Sequence, residues 1–246
     1  PDAKLLRVGD DVFGDLARFG YGGFAQFVCP SEKALARKPA NVSFAMAAAT
    51  PMAGTAALQG LRDYGKVERG QKVLVVGASG GVGTFAIQIA KLLGAHVTAV
   101  CSTSKVELAR SLGANRVIDY TKEDFVGTGE RYDVIFAVNG YRSIWDYRRA
   151  LAPRGIYLMA GGDGPQIRQA MTWAPLLSLA GPQKFRLAST HARREDLELL
   201  AELVASGKIK PVIDRHFALR DVPDAIRYVE LGHARGKVII DVAPDA

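Results

Sequence analysis

The chain has 246 residues, of which 48% are hydrophobic and 23% are charged. This composition is that of an ordinary globular protein and excludes a disordered or collagen-like chain. The formal charge of +7 comes from scattered lysines and arginines. Because they form no basic stripe with interleaved aromatic residues, we expect no nucleic-acid partner. A membrane span needs ~20 apolar residues, and the most apolar loop-like stretch, 170–180, is too short and contains Pro175, so we expect no membrane partner.

The cysteines and histidines show no pattern typical of a metal site. Cys29 and Cys101 lie far apart, in no Cys-x-x-Cys or Cys/His cluster. We therefore expect two small buried side chains in a reducing compartment, a cytoplasmic location and no bound metal. The four histidines lie in separate predicted elements with no acid at a useful spacing, and we expect them at the surface: His96, His191, His216 and His233.

The first forty residues read as a small β-rich unit. Short strands are predicted over 11–13 and 24–28, with glycine turns beside them. From residue 45 onward, helices alternate with short apolar strands, the pattern of a parallel sheet covered on both faces. The predicted strands are 72–76, 96–101, 116–118, 134–137, 156–160 and 185–188, and the clearest predicted helices are 82–93 and 195–205.

After residue 208 the pattern becomes β-rich again, with predicted strands over 211–214 and 237–242 around a helix over 222–231. The two β-rich ends are therefore expected to form one domain, made of residues 1–47 and 209–246. The α/β middle, 48–208, is expected to be a second domain inserted between them. The fold class is thus α/β, with a doubly wound parallel sheet and a partial β-rich domain.

A glycine-rich turn joins the predicted strand 72–76 to the helix 82–93. It reads Gly-Ala-Ser-Gly-Gly-Val-Gly over 77–83. Strand, glycine turn and helix N-terminus together bind the pyrophosphate of a dinucleotide, because glycine lets the phosphate approach the backbone amides and the helix dipole attracts the anion. A tight turn with a purely structural role is the alternative.

Two other glycine motifs fit less well. A P-loop ends in Gly-Lys-Ser/Thr, whereas Gly83 is followed directly by Thr84. A short-chain dehydrogenase needs a Tyr-x-x-x-Lys pair, and none of the eight tyrosines has a lysine four residues later. A dinucleotide-binding fold of the ordinary Rossmann kind is therefore favoured.

The end of the second predicted strand of this fold indicates which dinucleotide binds. NAD-binding proteins place an acid there for the ribose 2′-hydroxyl. Here the strand is followed by Ser102, Thr103, Ser104 and Lys105. Hydroxyls and an ammonium suit a 2′-phosphate, so we predict NADP(H); capping of the next helix by these hydroxyls is the alternative, and both can hold.

Several blocks of the chain, in order, resemble the medium-chain dehydrogenase/reductase superfamily, specifically its zinc-independent quinone and enone oxidoreductase branch. The resembling blocks are 9–14, 23–28, 38–44, 51–56, 77–83, 112–114, 117–120 and 233–238. The resemblance implies a Rossmann domain beside a partial GroES-like catalytic domain. It also implies a homodimer, formed through the strand around 185–188, and an N-terminally shortened member of the family.

The resemblance also implies a set of cofactor-binding residues. Gly80, Gly81, Val82 and Gly83 would hold the pyrophosphate. Ser102, Thr103 and Lys105 would hold the 2′-phosphate, with Tyr120 beside the adenosine. Those implied on the nicotinamide side are Thr55, Asn139, Gly140, Gly161 and Gly162.

The chain departs from the family pattern at two places. Relatives commonly have Asp-Asn-Val-Gly after the fourth strand, whereas this chain has Ala137-Val138-Asn139-Gly140, which displaces Asn139 by one residue. Where zinc-dependent relatives place a metal ligand, it has Thr50-Pro51-Met52. We therefore expect no zinc, and no catalytic acid is assigned.

Two functions from different classes remain open on the sequence. The first is an NADPH-dependent oxidoreductase that passes a hydride to a small apolar electrophile: a quinone, an enone or a related carbonyl compound. The second is a non-enzymatic protein that binds NADPH as a structural or sensing ligand. An apolar stretch after Gly162, with Trp173, Leu176 and Leu177, is predicted as a loop that packs or contacts substrate or a partner.

Overall fold

The structure is a computed structural model that describes residues 4–17, 19–162, 164–191 and 193–242. The chain divides into two compact units. The end unit comprises residues 1–55 and 191–246, and the middle unit comprises residues 56–190. These bounds differ from those expected for the two domains, because the helix over 194–205 packs with the end unit. The domain assignment itself stays a prediction.

The middle unit is built on a six-stranded parallel sheet in the order β5-β4-β3-β6-β7-β8. Its strands are β3 (Lys72–Val76), β4 (His96–Cys101), β5 (Arg116–Asp119), β6 (Tyr132–Ala137), β7 (Leu151–Met159) and β8 (Lys184–Leu187). The central strand β3 is a run of apolar residues because both of its faces are covered. This is the strand order of a doubly wound Rossmann sheet, so the predicted fold class is confirmed.

Helices connect these strands except between β5 and β6, where residues 120–131 form turns and irregular chain. The helices are α3 (Gly81–Leu92), α4 (Val106–Ser111), α5 (Ile144–Ala150) and α6 (Gly164–Ala180). Helix α3 ends at Gly94, whose φ of +82° and N–H bond to the Lys91 carbonyl (2.9 Å) fit the predicted C-terminal glycine. Helix α3 is buried over most of its length, and Phe85 and Ile87 have no solvent-exposed surface.

Helix α6 corrects a prediction, since the sequence indicated a loop over this stretch. The helix runs through Pro175, which lacks the N–H that would bond to the fourth preceding carbonyl. Apolar residues at Ala170, Ala174 and Leu177 recur at helical spacing and are buried against the sheet. Their burial outweighs the cost of the proline, which is why the helix persists where local propensity argues against it.

A row of aromatic rings forms the centre of the core of the middle unit. Phe125 stacks on Tyr147 (5.7 Å between centroids), Tyr147 on Tyr157 (4.7 Å), and Tyr157 contacts Phe185 (5.8 Å). Burial raises the pKa of the Tyr147 and Tyr157 hydroxyls well above the usual value, so both stay neutral. The row joins the 120–130 segment, α5, β7 and β8 into one hydrophobic cluster.

The end unit contains two small sheets. Strands β1 (Val12–Gly14) and β2 (Leu35–Arg37) pair antiparallel, and β9 (Ile213–Ala218) and β10 (Lys237–Asp241) pair parallel. The helices are α1 (Phe44–Ala49), α7 (Arg194–Ala205) and α8 (Val222–Glu230), while α2 (Pro51–Gln59) starts in this unit. Helix α1 contacts β1, β9 and β10, so early and late parts of the chain pack together.

Three sequence expectations for the end unit are wrong. Residues 24–28 form no strand, since 24–26 are bends and 27–28 are irregular. Cys29 is exposed, whereas Cys101 of the middle unit is buried as expected. His216 has an acidic partner: its Nδ1 lies 3.0 Å from the Asp241 carboxylate. The two residues are 25 apart in sequence and meet because β9 and β10 pair side by side, which no local spacing could indicate.

Candidate cofactor site

The glycine turn between β3 and α3 depends on two glycines for its shape. Gly77 has a φ of +80°, and a Cβ there would lie 2.9 Å from the backbone nitrogen of Asn139. A Cβ on Gly83 would collide with the carbonyl oxygen of Gly77 and lie 2.7 Å from the Cα of Ala78. A side chain at Gly77 or Gly83 would therefore strain the turn, independently of any ligand.

The other glycines of the turn leave the start of α3 open. Gly80 precedes the helix with extended backbone, and no side chain caps it. The first hydrogen bond of the helix runs from the Thr84 N–H to the Gly80 carbonyl (3.0 Å). The amides of Gly81, Val82 and Gly83 precede this bond and have no acceptor within the helix. A Cβ on Gly80 would meet only the Gly77 oxygen, at 3.7 Å. This geometry fits a dinucleotide pyrophosphate, because uncapped amides at a helix N-terminus attract an anion.

The end of β4 holds the residues predicted for a 2′-phosphate. Ser102 precedes a single helical turn over Thr103–Lys105, and Ser102 makes no capping bond there. Thr103 is exposed, but its hydroxyl donates to the Asp119 carboxylate at 2.6 Å. Ser102, Thr103 and Lys105 thus lie together as the sequence predicts, with one of their hydroxyls already bound to an acid.

Asp119 is a residue of this site that the sequence reasoning missed. Its carboxylate also accepts from the hydroxyl (2.7 Å) and the N–H (3.1 Å) of Thr121, and lies 3.7 Å from the Lys122 ammonium. The hydrogen bond from the Thr103 hydroxyl is the main cause of the lowered pKa of Asp119. The Asp119 carboxylate is therefore charged at neutral pH. The sequence does show an acid directly after the predicted strand 116–118. The pairing of β5 with β4, which puts Asp119 in register with Cys101, is what brings this acid to the site.

The thiol of Cys101 lies at the same strand end and is unreactive. Burial, together with the nearby negative charge of Asp119, raises the pKa of Cys101 to about 11. A thiol with such a pKa stays protonated at neutral pH and is a poor nucleophile. Cys101 therefore serves packing, as the sequence analysis expected.

Tyr120 stands at the rim of this site beside a second aromatic ring. Its side chain is 49% exposed, and its ring lies 5.4 Å from that of Tyr141. The Arg142 guanidinium lies 5.6 Å from the Tyr141 ring and pairs with Asp124 at 2.8 Å. Tyr141 was not predicted from the sequence, and the two exposed rings together offer a face on which a planar group can stack.

The carboxyl ends of β6 and β7 bring four further predicted residues together. Asn139 is exposed, and its N–H donates to the Val76 carbonyl at 3.3 Å. Gly140 donates to the Gly161 carbonyl (3.3 Å) and forms a parallel bridge with Gly162. A Cβ on Gly161 would collide with the carbonyl oxygen of Val138, so this glycine allows the two strand ends to approach closely.

Thr55 belongs to the end unit. It lies in α2, is 1% exposed, and its hydroxyl has no hydrogen-bond partner among the described residues. A buried hydroxyl without a partner costs about 1–3 kcal/mol, which a bound group with a suitable acceptor or donor would relieve.

Two further observations concern metals and membranes. Within the described ranges, no three His, Cys, Asp or Glu side chains are grouped so that they could hold a metal ion. None of the helices that the structure describes combines the length and apolar character needed to cross a bilayer.

A Rossmann sheet with a glycine turn, an uncapped helix N-terminus and a polar strand end beside it defines a dinucleotide-binding protein. Comparisons with known proteins identify its class more closely. A family model described as zinc-binding dehydrogenase matches residues 112–240. The chain therefore belongs to this family, and its relatives place it in the quinone oxidoreductase branch of the medium-chain dehydrogenase/reductase superfamily.

Two curated relatives and one solved structure illustrate the similarity. The chain is 38% identical to a 2-methylene-furan-3-one reductase of Solanum lycopersicum, over 98% of this chain and 60% of that protein. It is 35% identical to a chloroplastic NADPH-dependent alkenal/one oxidoreductase of Arabidopsis thaliana, with the same two coverages. The quinone oxidoreductase of Coxiella burnetii superposes with a TM-score of 0.88 at 29% identity, over 98% of this chain and 75% of that one. The chain spans about 60% of the length of the two curated relatives.

Proposed function

We propose that the protein is an NADPH-dependent oxidoreductase that reduces a quinone, an enone or a related carbonyl compound without zinc. The uncapped N-terminus of α3 behind the glycine turn is the observation that carries this proposal. The named activities of the relatives, an alkenal/one oxidoreductase and a furanone reductase, support the substrate class. When bound, NADPH supplies the hydride that the substrate receives.

The residues of the chain then act by binding and orienting the cofactor. The segment Gly80, Gly81, Val82 and Gly83 holds the pyrophosphate: the amides of Gly81, Val82 and Gly83 donate to it, the missing side chain of Gly80 gives it room, and the α3 dipole offsets its charge. Ser102, Thr103 and Lys105 hold the 2′-phosphate. Tyr120 lies against the adenosine, and the nicotinamide side is formed by Asn139, Gly140, Gly161 and Gly162. Thr55 is assigned to the same cofactor on the strength of the family resemblance.

Substrate polarisation is assigned to hydrogen-bond donors rather than to a metal. Oriented donors stabilise the negative charge that grows on a carbonyl oxygen as it is reduced. The segment Thr50-Pro51-Met52 offers no good zinc ligand, and the chain has only two cysteines. These residues support a reaction without zinc, although the family description names zinc.

Calorimetric titration with NADPH and NADH tests the cofactor assignment. One charge-assisted contact of ~1.5–3 kcal/mol predicts an NADPH preference of about 10–100-fold. Lys105→Ala should reduce this preference, whereas Lys208→Ala, which removes an exposed lysine of the end unit, should leave it unchanged. Equal affinity for both cofactors would contradict the assignment of NADP(H).

Turnover tests the enzymatic part separately. The full-length protein is mixed with NADPH and either a benzoquinone or a simple enone, and NADPH absorbance is followed. Consumption that depends on the electrophile supports the oxidoreductase. Tight NADPH binding without any turnover across these compounds would favour the sensing role instead.

The organisation of the protein is proposed on the same basis. We assign residues 48–208 to the cofactor domain and residues 1–47 and 209–246 to a partial GroES-like domain, which the structural similarity over nearly the whole chain supports. A homodimer is proposed through β8, as the family resemblance implies, and β8 is an edge strand that can pair with another copy. A cytoplasmic location is proposed from the unpaired cysteines, and cell fractionation tests it.

A further inference from the structure

A cleft of about 600 Å³ lies in the middle unit away from the predicted cofactor residues. We call it the arginine cleft; Arg131, Trp145, Arg148, Arg149, Pro153 and Gln183 line it. Arg131 precedes β6, Pro153 lies in the first part of β7, and Gln183 precedes β8. The cleft is therefore at the amino ends of these parallel strands, whereas the glycine turn, Asn139 and Gly161 follow the carboxyl ends. A six-residue strand such as β6 separates the two edges by about 20 Å.

The arginine cleft carries positive charge that the protein does not neutralise. Arg149 pairs with Asp146 at 2.5 Å. Among the described residues, neither Arg131 nor Arg148 has an acidic partner. Both side chains are exposed, so their guanidinium groups are available to an anion. Guanidinium groups bind carboxylates and phosphates with paired, charge-assisted hydrogen bonds.

The indole ring of Trp145 lies beside these arginines in the cleft. Trp145 is 40% exposed, and the Arg148 guanidinium lies 5.9 Å from its ring. The Trp145 ring also contacts that of Trp173, with 5.5 Å between centroids, which holds it in place from α6. An exposed indole beside a cation is suited to a planar ring that carries a negative charge, because the ring stacks while the anion meets the arginine.

The cleft is preformed rather than a chance gap between mobile side chains. The Gln183 side-chain amide lies within hydrogen-bond distance of three backbone carbonyls, those of Arg148 (3.2 Å), Leu151 (3.4 Å) and Ala152 (3.2 Å). These contacts join the end of α5 to the start of β7 and to the entry of β8. Leu151 is buried beneath them and gives the cleft an apolar floor. A cavity of this volume matches a small-molecule ligand.

From these observations we propose that the arginine cleft is a second ligand site, which binds a small aromatic anion whose charged group is a phosphate or a carboxylate. The ring lies against Trp145, and the anionic group pairs with Arg131 and Arg148. This site is separate from the cofactor site and does not depend on the proposed oxidoreductase function.

The test uses phenyl phosphate and benzoate as probes, with phenol and inorganic phosphate as the ring-only and charge-only controls. The chain has two tryptophans, and a Trp173→Phe variant assigns the indole N–H resonance of Trp145 in ¹⁵N-labelled protein. Each probe is titrated in the presence of excess NADPH. We expect one or both aromatic anions to shift the Trp145 resonance saturably, about tenfold more tightly than either control. Whichever anion binds tighter identifies the charged group.

Paired variants locate the binding. Arg131→Gln combined with Arg148→Gln should weaken probe binding by about tenfold or more, since both charged contacts are lost. Arg154→Gln is the matched control, because Arg154 is an exposed arginine of β7 that lines a neighbouring cleft. A thermal melt checks that each variant is folded. The proposal is overturned if neither anion shifts Trp145, if phenol binds as tightly as the anions, or if the double variant and Arg154→Gln behave alike.

Discussion

Asp119 places a negative charge beside the hydroxyls that are proposed to bind a 2′-phosphate. The Thr103 hydroxyl that would donate to a phosphate donates to this carboxylate instead. Asp119→Asn keeps an oxygen acceptor for Thr103 but removes the charge, so NADPH should bind several-fold more tightly while NADH changes little. Calorimetry with both cofactors measures this ratio. Glu107→Gln, which removes an exposed acid from α4, is the control and should have no such effect.

The direction of the Asp119 pKa shift sets the pH range of that effect. The pKa is lowered from an ordinary value of 3.8, so the carboxylate is charged throughout the neutral range and the effect of the substitution on binding should not vary there. A carboxyl with a lowered pKa in the folded state stabilises the protein above its ordinary pKa, and this stabilisation is lost as the pH falls through the lowered value. The check is made between about pH 7.5 and 9, above the second pKa of about 6 of a phosphate monoester. There, an effect of Asp119→Asn on NADPH binding that varies strongly with pH would contradict a permanently charged Asp119.

Substitutions at two glycines of the turn, Gly83 and Gly80, distinguish the contribution of the turn to folding from its contribution to cofactor binding. Gly83→Ala should lower the free energy of unfolding by about 1–3 kcal/mol, because its Cβ would overlap the backbone at Gly77 and Ala78. Gly80→Ala has room for its Cβ and should melt near the parent temperature, yet bind NADPH at least several-fold more weakly, since the methyl group faces the approaching phosphate. Chemical denaturation and calorimetry on both variants check this contrast. Unimpaired NADPH binding by Gly80→Ala would assign the turn a purely structural role.

At the scale of elements, α6 contains a residue that opposes its own helix. Pro175 is exposed and within the helix, so Pro175→Ala restores an N–H for the Met171 carbonyl without opening a cavity. We expect the free energy of unfolding to rise by about 1–2 kcal/mol, less than the full cost of an interior proline because the unfolded chain also gains freedom. Urea denaturation measures the change. Pro165→Ala is the control: Pro165 lies in the first helical turn, where proline is tolerated, and no gain is expected.

Local patterns predicted the elements whose signals are local. The strand 72–76, the glycine turn and α3 follow from an apolar run, glycine spacing and helical periodicity, and all were found. Helix α6 was missed because Pro175 and the polar start of the stretch mask a weak apolar face that only the sheet stabilises. The Asp119–Thr103 contact and the His216–Asp241 pair were missed because neighbouring strands create them across 16 and 25 residues. These two contacts depend on which strands pair in the sheets, and residue types alone do not show it.

At the scale of the whole molecule, β8 is one of the two edge strands of the sheet, and β5 is the other. If two copies pair along it, Leu187, which is 44% exposed, lies at the contact. Leu187→Glu should then convert a dimer into a monomer in gel filtration, because an acid at an edge strand opposes pairing with an identical strand. Leu179→Glu changes an even more exposed leucine on α6 and should leave the dimer intact. A parent chain that already elutes as a monomer would remove the dimer from the proposal.

The division of the end unit into two distant stretches has a consequence for synthesis. Its helix α1 packs against β10, so contacts near residue 45 wait for residues near 240 to be translated. The middle unit has all of its strands between residues 72 and 187 and can begin to fold on the ribosome before the last fifty residues emerge. Within the described chain, segment 4–55 is therefore separated during synthesis from the late residues against which it packs in the end unit.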